Sequence, residues 1–180
     1  MLYNSEDMEM RAALNAAAEI CAAARTAPKA CGVDRIHTLT LTDADKDALA
    51  DEMERIGNAQ GAGFFLRDAG NVRAAKAVVL IGIEEGQRGL NGVCGYCHFT
   101  DCGACASGNG VCVYDPMDVG IALGSAAAKA ADLRMDNRIL FSAGRAAQEL
   151  GLMGESVRLI YALPLAVCGK SPFFDRKPKA

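Results

Sequence analysis

Apolar positions recur along the chain with two different periods, and each period predicts a different kind of element. A repeat of three to four residues, typical of a helix packed on one face, follows Ser5 and ends near Pro28. The β-branched run Ile36–Thr42 and the unbroken apolar run Ala77–Ile83 instead predict strands. The predicted helices are 5–26, 43–57, 65–75, 115–132 and 136–150, the predicted strands are 36–42, 77–83 and 156–162, and the tail 164–176 is predicted to be a loop.

Two helix starts and one helix face carry further predictions. Asp115 is expected to cap one helix, and Asp136–Asn137 is expected to cap the next. Within the first of these helices Gly120, Gly124 and Ala128 recur every four residues, which gives the helix a stripe almost without side chains. Since glycine weakens a helix, the stripe predicts close packing in the centre of the domain, in preference to a direct cofactor contact.

The composition is that of an ordinary globular protein, and it limits the classes of partner. Of the 180 residues, 51% are hydrophobic and 23% are charged, and the net charge is −3. Lysine and arginine are scattered without a basic block, which argues against nucleic acid as a partner. No apolar run reaches membrane-spanning length, and no apolar signal segment precedes the first helix. A cytoplasmic protein with reduced thiols is therefore expected.

Five of the eight cysteines fall within the nineteen residues Cys94–Cys112. They are separated by two, four, two and six residues, and the glycines between them allow the backbone to fold tightly. Thiolates this close in sequence can converge on one centre. Three kinds of centre use such a group of cysteines: a disulfide knot, a zinc site and an iron–sulfur cluster.

The spacing favours the iron–sulfur cluster over the two alternatives. Disulfides are least expected, because thiols stay reduced in a cytoplasmic setting. Structural zinc sites usually separate two cysteine pairs by about a dozen residues or more. Here only four residues separate Cys97 from Cys102. Ferredoxin-type runs, by contrast, have gaps of about two to four residues between their ligands.

The candidate ligands are Cys94, Cys97 and Cys102, with either Cys105 or Cys112 as the fourth. Cys112 is preferred, because it ends the glycine-rich loop at the start of a predicted helix. The positive potential at that helix N-terminus would favour a negatively charged cluster. Cys105 is kept as the alternative fourth ligand. No role is assigned to the other three cysteines, Cys21, Cys31 and Cys168.

Longer stretches of the chain resemble a known family. The run C-G-x-C-x-x-x-x-C at Cys94–Cys102 resembles the small 4Fe–4S domain of corrinoid iron–sulfur proteins and several electron-transfer subunits. Together with Asp115–Ala126, Met135–Gly144 and Gly169–Arg176, it makes the chain closely similar to uncharacterised ferredoxin-domain proteins common in anaerobes. This resemblance covers nearly the full length. It implies a 4Fe–4S cluster but no particular reaction.

A second resemblance is to the FMN-dependent nitroreductase fold. It rests on the turn Ala24–Pro28 before a strand and on the glycine- and alanine-rich helix from Asp115. The resemblance implies an α/β (α+β) fold in which one nitroreductase-like domain spans 1–180. Helices would flank a mixed sheet, and a cysteine-rich 4Fe–4S module would be inserted at 90–114. The resemblance also implies a homodimer, and contacts to an FMN phosphate from Arg25, Lys29, Lys170 and Arg176.

These observations lead to two functional hypotheses from different classes. The first is a 4Fe–4S redox protein that exchanges electrons with a redox partner protein or a small-molecule acceptor, with FMN as a further cofactor in its oxidoreductase version. The second is a zinc-stabilised interaction domain without catalysis. No catalytic residue is assigned, because two histidines leave little room for a Ser–His–Asp arrangement.

Overall fold

A computed structural model describes residues 1–174 as helices packed around one sheet. In chain order the helices are α1 (Ser5–Thr26), α2 (Asp43–Gln60), α3 (Gly63–Ala74), α4 (Cys102–Ser107), α5 (Tyr114–Asp132) and α6 (Phe141–Glu149). The strands are β1 (Ile36–Leu41), β2 (Ala77–Glu84), β3 (Asp136–Asn137) and β4 (Val157–Ala166). None of these helices, over the described residues, has both the length and the apolar character that a bilayer crossing requires.

The described strands pair in the order β1-β2-β4-β3, and every pair is antiparallel. Ile36 of β1 lies opposite Ile83 of β2, and Leu80 of β2 lies opposite Ala162 of β4. The α/β class is confirmed, but the strand directions are not mixed as predicted. Two helices, α2 and α3, separate β1 from β2, and the segment between β2 and β4 contains α4, α5, β3 and α6.

The central strand β2 is buried on both faces of the sheet. Val78 and Leu80 lie in the apolar layer with α2, α3 and α6, whereas Val79 and Ile81 lie in the layer with α1 and α5. This alternation is the period of two that a strand imposes on its side chains. The unbroken apolar run predicted a strand covered on both faces, and this prediction is confirmed.

The second half of the chain departs from the predicted elements. Asp136–Asn137 does not cap a helix but forms β3, opposite Leu165–Ala166 of β4. The following helix, α6, begins only at Phe141, because Leu140 first makes a bridge to β4. The stretch beyond Ala162, predicted to be loop, continues as strand because β2 and β3 supply partners for its backbone groups.

The long helix α5 also differs from its prediction. It begins at Tyr114, so Asp115 lies inside the first turn and does not cap the helix. The stripe of Gly120, Gly124 and Ala128 lies on the exposed face of the helix in the single chain. Its predicted packing in the centre of the domain is therefore wrong. The opposite face of α5 is the buried one, and it packs mainly against α1.

Candidate metal centre

The segment between β2 and α5 folds around a cavity of about 240 Å³. All five cysteines of the run line this thiol cavity: Cys94, Cys97, Cys102, Cys105 and Cys112. Cys105 and Cys112 are buried, whereas the other three are partly exposed. Each of the five is a free thiol. The structure therefore brings every candidate ligand, including both candidates for the fourth position, to one common space.

A tight turn delivers the first two cysteines. The backbone N–H of Cys94 donates to the carbonyl of Leu90 at 3.2 Å, and the N–H of His98 donates to the carbonyl of Gly95 at 3.1 Å. Gly95 and His98 both have positive φ, at 65° and 64°. Glycine adopts this conformation without strain, and its place between the two cysteines lets the chain reverse within the CxxC repeat.

A short helix, α4, delivers the next two cysteines. The carboxylate of Asp101 caps it by accepting a hydrogen bond from the N–H of Ala104 at 2.8 Å. Cys102 and Cys105 are three residues apart on this helix and therefore share one face. The side-chain carbonyl of Asn91 accepts from the N–H of Cys102 at 2.8 Å, which ties α4 to the preceding loop. The helix stands where the sequence predicted only loop.

The glycines after α4 allow an aromatic ring to close the segment. The ring of Phe99 lies against Gly108 and Gly110, where a Cβ on either glycine would collide with it. The N–H of Gly110 donates to the carbonyl of Cys105 at 2.8 Å, which turns the chain back past the end of α4. Cys112 then enters the cavity wall two residues before α5 begins.

Polar side chains contact the thiols from inside the cavity wall. The Nε2 of Gln87 donates to the Sγ of Cys105 at 3.8 Å. Burial raises the pKa of the Cys105 thiol, and the neighbouring thiol of Cys97 raises it further. A hydrogen bond to Cys94 raises the pKa of the Tyr114 hydroxyl, and burial adds to the effect. Tyr114 and Gln87 are therefore hydrogen-bonding groups within reach of cavity sulfurs.

A buried ion-pair network lies at the base of the cavity. Arg88 lines the cavity, and its guanidinium donates to Asp115 and to Asp118, each at 2.9 Å. The two carboxylates also accept from the backbone N–H groups of Gly86 and Ala30, each at 3.0 Å. Burial disfavours the charged guanidinium, but the hydrogen bonds and charges of Asp118 and Asp115 outweigh it and raise the pKa of Arg88. The sequence prediction missed this network altogether.

The donor set fits an iron–sulfur cluster better than a single zinc ion. Zinc draws four sulfurs to about 2.3 Å from one point, which leaves no open space between them. The five thiols surround a space of about 240 Å³, which has room for a group larger than one ion. Arg88 also has a buried Nε without a partner among the described residues, and an anionic sulfur is the kind of acceptor that would satisfy it.

Two of the predicted phosphate contacts lie together at the end of α1, but both have other partners. Arg25 forms an ion pair with Asp34 at 2.5 Å and also donates to the carbonyl of Ile36. The Nζ of Lys29 donates to the carbonyl of Ala27 at 2.9 Å and lies 3.8 Å from Asp34. Both side chains thus fix the turn between α1 and β1. Their assignment to an FMN phosphate stays a prediction.

Among the described residues, the other predicted phosphate contact and the three unassigned cysteines lie outside the cavity wall. Lys170 is exposed, and its carbonyl accepts from the thiol of Cys168 at 2.9 Å. Arg176, the fourth predicted phosphate contact, lies outside the described residues. Cys21 belongs to α1, and its Sγ lies 3.7 Å from the Oγ1 of Thr40 in β1. Cys31 is exposed in the turn after α1. None of these three cysteines lines the cavity of the five.

Sequence comparison identifies relatives over the whole chain. A profile described as "Uncharacterized protein containing a ferredoxin domain" matches residues 108–176, which include Cys112 but not the four earlier cysteines of the run. The chain is also 36% identical over 187 residues to an uncharacterized protein of Archaeoglobus fulgidus. That alignment covers 99% of this chain and all of the relative, so it spans the thiol cavity as well as the surrounding fold.

Solved structures of nitroreductases have a similar fold. A putative nitroreductase in complex with FMN from Desulfovibrio desulfuricans aligns with a TM-score of 0.57 at 16% identity, over 91% of this chain and 79% of that chain. A nitroreductase with bound FMN from Desulfitobacterium hafniense aligns with a TM-score of 0.57 at 16% identity, over 94% of this chain and 81% of that chain. At such identities the likeness concerns the fold alone, and the nitroreductase-like fold predicted from the sequence is confirmed.

Proposed function

Because the chain belongs to the family of uncharacterized proteins containing a ferredoxin domain, we propose that it is a 4Fe–4S redox protein. The thiol cavity would hold the cluster, and the chain would pass single electrons between a reduced donor and an oxidised acceptor. The observation that carries the proposal is the convergence of five thiols on one cavity of about 240 Å³. Cysteine thiolates are the ligands that hold such clusters in proteins.

We assign Cys94, Cys97, Cys102 and Cys112 as the ligands, with Cys105 as the fifth thiol of the cavity. Cys112 is chosen because it lies two residues before the N-terminus of α5, where the helix dipole favours a negative charge. Cys105 lies within the six-residue helix α4 and does not directly precede a long helix. Its sulfur accepts a hydrogen bond from Gln87 at 3.8 Å.

When bound, the cluster would supply a one-electron redox couple. The residues of the chain would do the rest. The two buried thiols, Cys105 and Cys112, form the side of the cavity from which water is excluded, and the partly exposed Cys94, Cys97 and Cys102 face the solvent side. Exchange of electrons with a partner protein or a small-molecule acceptor would therefore take place at this outer side.

Redox cycling of the anaerobically purified chain tests the proposed function. We expect the broad visible absorbance of an iron–sulfur chromophore, which is bleached by dithionite and returns on addition of an oxidised acceptor. The zinc-stabilised interaction domain makes the opposite prediction, because zinc has no redox chemistry. A colourless, zinc-loaded chain that takes up no electrons would contradict the proposal.

A second candidate function is a flavin-dependent oxidoreductase, favoured by the fold shared with FMN-bound nitroreductases. In this version the cluster site would lie beside a flavin whose phosphate is held by Arg25, Lys29, Lys170 and Arg176. A homodimer, as the nitroreductase resemblance implies, would supply the second wall of the flavin pocket. FMN released when the purified chain is denatured would support this version. If no FMN is released from a chain that was incubated with FMN, the flavin-dependent version is contradicted and the redox protein with the cluster alone remains.

The identity of the fourth ligand can be tested with a matched pair of variants. We expect Cys112→Ser to lower the iron bound after anaerobic reconstitution by at least about tenfold, on the order of what even indirect ligand support contributes to metal affinity. Cys105→Ser, at an equally buried thiol of the same cavity, should retain the iron of the unmodified chain. The reverse pattern would transfer the fourth ligand to Cys105 while leaving the cluster proposal intact.

A further inference from the structure

One buried permanent charge lies on the wall of the thiol cavity. Among the described residues lining that cavity, Arg88 and Asp101 have acidic or basic side chains, but Asp101 is exposed at the start of α4. The side chain of Arg88 is only 1% exposed. Water and salt screen the charge of Asp101, whereas the charge of Arg88 acts on the cavity through a medium of much lower polarity.

Two buried carboxylates stand one layer behind this arginine. Asp115 and Asp118 are 0% and 1% exposed at their side chains, and each lies 2.9 Å from the guanidinium. Neither carboxylate lines the cavity. Two carboxylates and one guanidinium leave a single net negative charge. The cavity therefore has a positive group at its wall and an excess of negative charge behind that wall.

The same three side chains join the segments that carry the cysteines. Asp115 and Asp118 belong to the first turns of α5, directly after Cys112. Arg88 lies in the loop that leads to Cys94, and the carbonyl of Gly86 in this loop also accepts from it. The network thus fixes the loop before the first cysteine against the helix that follows the last one.

We propose that Arg88, Asp115 and Asp118 form a positioning network that sets the redox potential of the cluster and holds Cys112 at the cavity wall. This inference rests on the proposed function, since it concerns the cluster assigned to the cavity. Uptake of one electron from a reductant adds one negative charge inside the cavity. The guanidinium stabilises that added charge, whereas each buried carboxylate opposes it.

Asp118→Asn gives the sign of the effect. The substitution removes one buried negative charge and keeps a side chain of the same shape, so reduction should become more favourable. We expect the midpoint potential to rise by about 59 mV. For a one-electron couple, this shift corresponds to a tenfold increase in the ratio of reduced to oxidised protein at a fixed solution potential. Arg88→Lys keeps the positive charge, so its midpoint potential should stay close to that of the unmodified chain.

Asp68→Asn is the matched control for the potential. Asp68 is also buried, at 4% exposure, and it accepts a hydrogen bond from Ser142 at 2.7 Å. It belongs to α3, on the opposite side of the sheet from α5. Asp68→Asn should lower stability without moving the midpoint potential. If Asp118→Asn shifts the potential no more than Asp68→Asn does, the network does not set the potential and the inference is overturned.

A second measurement uses the metal-free chain. Cys112 is 7% exposed, so its alkylation by iodoacetamide should be slow, and it should be several-fold faster in Asp118→Asn than in Asp68→Asn. Equal alkylation rates would overturn the positioning role. Should Asp118→Asn fail to fold, Asp115→Asn replaces it with the same expected directions. A chain that binds no cluster at all would contradict the proposed function itself. Failure of the proposed function can therefore be distinguished from failure of the inference about the Arg88 network.

Discussion

The Cys97→Ser variant is expected to lose nearly all of its iron after anaerobic purification. Cys97 lines the thiol cavity beside the other candidate ligands, and it is the second cysteine of the CxxC turn. Serine keeps the shape and nearly the size of the side chain but replaces the thiolate that iron–sulfur clusters require with a hydroxyl. The loss should exceed the roughly 10- to 100-fold drop in affinity that follows removal of an indirect ligand contact. Iron per chain and the electron-paramagnetic signal of the reduced protein are the measurements.

Cys21→Ser provides the control for this result. Cys21 of α1 is partly buried, like Cys97. Its sulfur contacts Thr40 of β1, and Cys21 does not line the cavity. Its iron content and its signal should therefore match those of the unmodified chain. Equal iron in Cys97→Ser and Cys21→Ser would mean that the cavity sulfurs do not bind the metal.

The Arg88→Met variant is expected to lose about 3–5 kcal/mol of the free energy of unfolding, the usual cost of leaving buried partners of an ion pair uncompensated. Methionine preserves much of the volume of the side chain, so a cavity contributes little to the loss. Asp115 and Asp118 would remain at 0% and 1% exposure without the charge that balances them. Urea unfolding of the metal-free, reduced chain measures the change without any contribution from a cluster.

Arg73→Met is the control for Arg88→Met, because Arg73 also pairs with two acids. Its guanidinium lies 2.5 Å from Asp51 and 3.2 Å from Glu54, but its side chain is 38% exposed. Exposed ion pairs are worth roughly 0–1 kcal/mol, so this variant should lose far less stability. Similar losses in the two variants would show that burial does not increase the contribution of the Arg88 network to the free energy of unfolding.

The sequence could indicate that the five cysteines lie together, because this signal is local. Five thiols within the nineteen residues Cys94–Cys112 are brought close together once the backbone turns at the glycines between them. The structure places all five at one cavity. Strand β2, which is buried on both faces of the sheet, could also be predicted from a local pattern. Its apolar run is continuous, short and rich in β-branched residues, as expected for a strand covered on both faces.

The sequence did not predict the Arg88 network, because the two carboxylates that bind Arg88 are distant from it in sequence. The guanidinium of Arg88 binds carboxylates 27 and 30 residues further along the chain, and no periodic pattern connects them. From the sequence Asp115 is expected to cap a helix, since an aspartate before a proline is typical of a helix start. In the structure its carboxylate instead accepts from Gly86 and Arg88, and the helix begins one residue earlier.

The β3 region shows the same limit for secondary structure. Asp136–Asn137 is typical of a helix start, and the helix-like pattern that follows gave no reason to place a strand there. The two residues become strand only because Leu165–Ala166 of β4 lies alongside them. Pairing of this kind depends on tertiary contacts, which a window of neighbouring residues does not contain.

Iron and acid-labile sulfide in the anaerobically purified, unmodified chain, measured together with its Mössbauer spectrum, test the central claim most directly. We expect iron and sulfide in equal amounts, at the content of one 4Fe–4S cluster per chain, with the spectrum of a cubane ligated by thiolates. A chain that holds zinc in place of iron, or iron without sulfide, would contradict the account of the thiol cavity as a cluster site.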